Sequence, residues 1–212
     1  MKTTKSHRYL GNIISATGSY QDSIEDRRNK ALGKLADIKA TLSQIPDIRK
    51  VEIGLRMRDA KLINGMIYSI EAWSKLSDKE INRIEQVDMS LLRGLVEAHS
   101  KCSEAFILLE FGVLSFRHLI MIRRMMFHHH LVNCDNKELI KKIYLKQKED
   151  TLKVDWFQTL SSDFIYINEP LDDNQISMTP KEHYRKSIKY KVEKAAVEYY
   201  LTLKKKSKKK MN

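Results

Sequence analysis

The chain has 212 residues, 39 Lys and Arg against 27 Asp and Glu, a formal net charge of +12 and 42% hydrophobic side chains. That apolar fraction excludes disorder over the whole length, and 7 Gly with 3 Pro are too few for collagen-like or loop-rich all-β folds. Arg123 and Arg124 break the longest apolar run, Leu119 to Phe127, the first residues (MKTTKSHRYLG) lack a secretory core, and Cys102 and Cys134 give no disulfide framework, so a soluble, intracellular, basic chain of one or two domains is expected.

In chain order, residues 7–20 read as a strand, a Gly-centred turn at Ala16-Thr17-Gly18 and a second strand, with Tyr9, Ile13 and Ile14 favouring extended backbone. Everything afterwards has helical periodicity. Ile24, Ala31, Leu35, Ile38, Leu42 and Ile45 form one apolar stripe ending before Pro46, with Arg27, Arg28, Lys30 and Lys34 placed off it. A second helix is predicted from about Asp47 to Trp73, weakened by Gly54 and Gly65. Ser77-x-x-Glu80 is a capping box for a third, with Ile81, Ile84, Val87, Leu91 and Leu95 inward. A short helix near 103–110, an apolar one from Phe116 to Val132 and another at 136–149, opened by Asp135-x-x-Glu138, follow.

Residues 160–178 contain no base and four acids (Asp163, Glu169, Asp172, Asp173) and read as an acidic linker. Thr179-Pro180-Lys181-Glu182 then starts an amphipathic basic helix whose apolar face is Tyr184, Ile188, Val192, Ala195, Tyr199 and Leu203. The division expected is a hairpin at 1–20, a multi-helix region at 21–159, the linker, and a basic helix and tail at 179–212. The fold class expected is mainly α, with a short N-terminal β-hairpin, a multi-helix bundle and a basic C-terminal helix.

Residues 179–212 carry a net +9, the linker −4, and residues 1–159 the remaining +7. The terminal KKKSKKK run, with Lys204, Lys205 and Lys206, suits nucleic acid, anionic lipid or an import receptor, or is a solvated tail. The helical cations Arg27/Arg28, Arg56/Arg58/Lys61 and Arg123/Arg124 admit two readings. One is a phosphate-tracking groove; the other is a solvated face with i,i+4 partners such as Glu52 and Arg56. Arg123 and Arg124 interrupt an apolar helix, where a charge needs a partner or a ligand.

Catalytic and metal chemistry find little support. Asp172-Asp173 lacks the flanking apolar strands that a two-metal carboxylate pair requires. His128-His129-His130 with Cys134 falls short of a four-ligand zinc set, because Cys102 has no CxxC or HxxxH companion. Cys102 has no spacing that pairs it with a base, and no Gly-rich phosphate loop, GxSxG elbow or HExxH occurs.

HRYLGNIIS, a turn (ATGS) and DSIEDRRNKALGKL together resemble the passage from palm to thumb in the reverse transcriptases of non-LTR (LINE-like) retrotransposons. LRMRDAKLINGMIYSIEAW, INRIEQVDMSLLRGL and EAFILLEFGVLSFRHLIMIRRMMFHHHL, in that order, are similar to the region downstream. The resemblance implies a primer-grip turn at Tyr9, Leu10 and Gly11 and a thumb holding the template–primer duplex, with Arg27 and Arg28 inferred to face it. Arg56, Arg58, Lys61, Arg123, Arg124 and Lys204 to Lys206 complete the nucleic-acid-binding set. In that family the polymerase aspartates lie upstream of Tyr-Leu-Gly, and His7 is preceded here by six residues. A reverse-transcriptase fragment without its own catalytic residues or cofactor is therefore expected: the divalent metal belongs to the intact enzyme, an upstream polymerase segment is a candidate partner, and the location is nuclear. The alternative is a non-enzymatic helical protein-interaction module with an import-like tail, docking through Met121, Met125, Met126 and Phe127.

Overall fold

The fold follows the apolar periodicity closely at its start. In the computed structural model, which describes residues 6–9, 12–16, 18–73, 76–99, 101–150 and 156–209, a β-hairpin precedes a series of helices. Strands β1 (Ser6–Tyr9) and β2 (Asn12–Ser15) pair antiparallel with Tyr9 opposite Asn12. The reversal therefore falls between those two residues and not at 16–18. Gly18 N–H donating to Ser15 O instead closes the turn that leads into the first helix.

The chain forms two compact units, Met1–Ser69 with Ser77–Ile107 and Ile70–Leu76 with Leu108–Asn212. In the first, α1 (Gln21–Leu42) buries Ile24, Ala31, Leu35, Ile38 and Leu42, the predicted stripe. Arg27 lies on that stripe too, three residues after Ile24 and four before Ala31, and is buried. Helix α2 (Asp47–Met57) runs without interruption into a π-helical segment (Arg58–Ile63) and a last turn, α3 (Asn64–Met66). The helix predicted as far as Trp73 stops there because Ser69 adopts a left-handed conformation, φ 57°. α4 (Asp78–Leu95) opens on the capping box, with Ser77 and Glu80 side chains each bonded to the other's backbone N–H. Helices α1, α2 and α4 pack on one another. Gly54 lets α2 approach α4 closely, since a Cβ there would stand 2.4 Å from Leu95 Cδ2 and the leucine would have to shift.

The second unit contains a 3₁₀ turn (Ile70–Ala72), α6 (Phe116–Asn133), α7 (Leu139–Glu149), α8 (Trp156–Tyr166), α9 (Asp173–Met178) and α10 (Lys181–Lys209). The short α5 (Glu104–Phe111) spans the boundary between the units. α6 is the central helix, against which α7, α8, α9 and α10 pack. Four expectations change here. Residues 160–178 are not a linker: Leu160, Asp163, Phe164, Ile167 and Ile176 are buried in the core, and six residues separate α8 from α9. α7 begins at Leu139, three residues late, because the Asp135 side chain accepts from Lys137 N–H and holds a preceding turn. α10 buries Tyr184, Ile188, Val192, Ala196 and Tyr200, a strict four-residue row along α6. Tyr199 is accordingly 43% exposed, contrary to its predicted place on the apolar face. Met121 and Met125 are buried, with Met126 and Phe127 packed against them, so the supposed docking surface is core. No single helix among the described residues is long and apolar enough to cross a membrane.

Candidate nucleic-acid interface

In the first unit a groove runs between α1 and the π-segment. Lys30 and Lys34 lie four residues apart on α1 and so share one face. Lys61 reaches the groove from the opposite wall, and Asn64, Gly65 and Tyr68 line its end. The π-segment carries one more residue per turn than an α-helix, a feature frequent at functional positions. It lets consecutive Leu62 and Ile63 both turn into the core while Lys61 stays exposed. The Lys34 ammonium crosses over Gly65, where a Cβ would lie 2.5 Å from Nζ.

Two acids also line the groove. Asp26 accepts from Arg8 (2.7 Å) and Lys30 (2.8 Å), and the Arg8 hydrogen bond, foremost, holds its carboxyl below the usual range. Asp37 is exposed, three residues beyond Lys34. Among the described residues Lys34 and Lys61 have no carboxylate partner.

The hairpin anchors this region. Ser23 Oγ accepts from Ile13 N–H and donates to Ile13 O, both at 2.9 Å, fixing β2 on α1. Arg27 donates to Met66 O at 2.8 Å and to Asn12 Oδ1, and Asn12 Nδ2 donates to Ser69 Oγ at 3.1 Å. A single buried guanidinium thus ties the hairpin to the end of α3.

The residues expected to meet nucleic acid fall into distinct groups. Leu10 and Gly11 lie outside the described residues, as do the side chains of Tyr9 and Lys206. Arg27, Arg58 and Arg124 are buried and spend their forks internally: Arg58 on Asp88 (2.6 and 2.7 Å) and Arg124 on Asp163. A strand could take these groups only by displacing partners in the core. Arg28 pairs with Glu25 at 3.0 Å and Arg56 with Glu52 at 2.7 Å, the solvated i,i+3 and i,i+4 arrangement. Lys61, Arg123 and Lys205 are exposed, and Lys204 is half-buried. Of the expected set, the groove holds Arg27 and Lys61. Lys34, Asn64 and Tyr68 were not singled out by sequence. Their available signal was the Lys30/Lys34 four-residue spacing, with a tyrosine just past a helix end.

In the second unit the polar side chains serve packing. Asp172 caps α9 by accepting from Asn174 and Gln175 N–H, while Asp173 accepts from Tyr144 Oη (2.8 Å) and Lys148 Nζ (2.7 Å) and meets His128. Burial opposes ionisation of Asp173, but the hydrogen bonds of His128, Lys148 and Tyr144 hold its carboxyl well below the ordinary value. The two aspartates therefore address different partners. His129 bonds Thr179 O, and His130 is exposed. His118 is fully buried, with Ser115 Oγ and Tyr200 Oη near Nδ1 and Tyr166 Oη near Nε2. That Ser–His pair is buried. Among the described residues no group of three His, Cys, Asp or Glu is placed to hold a metal ion.

The family model for the RNA helicase NPH-II matches residues 4–103, just under half of the chain. The match points to a nucleic-acid-related protein and names a helicase, not a reverse transcriptase. It covers most of the first unit, including the groove. No curated protein matches, and no solved structure does.

Proposed function

We propose that this chain binds nucleic acid through the first unit and contributes duplex holding, without a chemical step of its own, as the thumb region of a non-LTR reverse transcriptase. The observation carrying this reading is the pair of exposed, carboxylate-free lysines, Lys34 and Lys61, on facing walls of one groove. The ordered motifs from His7 to Val132 support the reverse-transcriptase version, as does a hairpin anchored on the first long helix. The helicase match supports the partner class more than the enzyme, since its printed name places RNA with that family. Lys205 and the rest of the basic tail would add non-specific affinity and serve as a nuclear-import address.

Fluorescence anisotropy with an RNA–DNA hybrid duplex tests this. Binding should weaken linearly in log K against log salt, and Lys34→Gln with Lys61→Gln should each lower that slope by about 1. Absence of binding at low salt, or a slope unmoved by both substitutions, would overturn it.

A second reading, a protein-interaction module, is favoured by α7, where Leu139 and Ile143 are 73% and 49% exposed on a face shared with Lys142 and Lys146. The same titration separates the two, since a pure protein-docking module has no salt-dependent affinity for the hybrid.

A further inference from the structure

We propose that the turn after the π-segment takes an unpaired nucleotide, its base stacked on Tyr68 and its backbone phosphates on Lys34 and Lys61. This deepens the nucleic-acid reading above and rests on it. Tyr68 is 58% exposed at the groove's end, whereas its neighbours Ile67 and Ile70 are 5% and 0% exposed. The ring is displayed while the backbone beneath it is anchored. Ile67 N–H donates to Ile63 O, Arg27 holds Met66 O, and Asn12 of the hairpin holds the Ser69 side chain.

Ser69, at φ 57°, occupies a conformation that a non-glycine residue keeps only when its surroundings enforce it, and such positions concentrate at functional sites. A tyrosine on a fixed turn loses little freedom when a second ring stacks on it. Stacking needs an exposed base face. Bases within a duplex hide theirs, so a ring in this position selects a strand end, an overhang or a single strand.

The charges fit the same occupant. Arg8 and Lys30 neutralise Asp26, which leaves Lys34, over Gly65, and Lys61 as the carboxylate-free lysines lining the same groove as the ring. Asp37, exposed further along α1, also lines the groove. Gly65 lets the Lys34 ammonium cross close over the backbone, where a Cβ would stand 2.5 Å from Nζ. On this geometry the hairpin acts indirectly: Asn12 and Arg27 are positioning residues for Tyr68 and do not touch the strand.

The test uses the full chain and three fluorescent probes at low salt: a 12-nucleotide DNA strand, an abasic strand of equal length and a blunt duplex. The wild type should prefer the base-bearing strand over the abasic one by roughly tenfold, the lower part of the range for one stacked base. Tyr68→Ala should erase that preference and leave abasic binding unchanged, and Tyr68→Phe should retain it. Lys34→Gln and Lys61→Gln should weaken both strands alike. An unchanged circular dichroism melt shows that each variant is folded. Persistence of the preference in Tyr68→Ala overturns the stacking proposal while the nucleic-acid reading stands. Failure to bind strand, abasic strand and duplex alike overturns both.

Discussion

His118 illustrates how one buried side chain can make a helical unit sensitive to pH. Burial, with the Arg117 charge adding, pushes its imidazole down to about 4, and its neutral form sits among Ser115, Tyr166 and Tyr200. The folded value lies below the ordinary unfolded value of about 6.5, so the stabilisation is complete above pH ~6.5 and declines as pH falls toward 4. The full effect is about 3 kcal/mol. Asp163, which burial raises to about 6 against the pull of Arg124, works in the opposite direction over part of that window. Urea denaturation of wild type and His118→Gln at pH 7 and pH 5 separates the two. The variant should lose less stability between those pH values than the wild type. Equal losses would show that His118 does not set the acid sensitivity. None of this was legible in sequence, where His118 is one histidine among seven; its partners come from α6, α8 and α10 and converge only on folding.

At the level of elements, hydrophobic periodicity located α1, α4, α6 and α10, because a 3.6-residue repeat needs no tertiary information, but it missed α8 and α9. The same reasoning misplaced Arg27. A charge on an apolar stripe looks like an off-face residue until its partners, Met66 O and Asn12, are known. The π-segment also escaped prediction, since one inserted residue shifts the apolar phase without altering composition. Its buried anchor is the two-point pair of Arg58 with Asp88, with side chains 4% and 1% exposed, joining this segment to α4. Removing one partner of such a pair leaves an uncompensated buried charge. Arg58→Ala should therefore destabilise the first unit by about 3–5 kcal/mol, whereas Arg58→Met with Asp88→Leu should recover most of that loss. Chemical denaturation would show it, and a double variant no more stable than the single one would refute the account.

For the whole molecule, the net charge of +12 resolves into parts of different meaning. Arg27, Arg58 and Arg124 serve internal contacts, and the acids of 160–178 help build the second core. Lys34, Lys61 and Lys205 are exposed. Tyr200 is the last buried residue of α10 among the described side chains, so deleting residues 204–210 should lower non-specific nucleic-acid affinity and its salt slope without shifting the thermal transition. A large fall in Tm on deletion would show that the tail belongs to the fold. By itself the sequence determined the fold class, the presence of an N-terminal hairpin though not its turn, the main helices and the total charge, because propensity, period and composition are local properties. Only the tertiary structure decided which cations face solvent, that 160–178 supplies Leu160, Phe164, Ile167 and Ile176 to a core, and that Lys34, Lys61 and Tyr68 share one groove. Those outcomes depend on which distant side chains meet: an arginine in a sequence has no direction until a carboxylate or a carbonyl is brought to it.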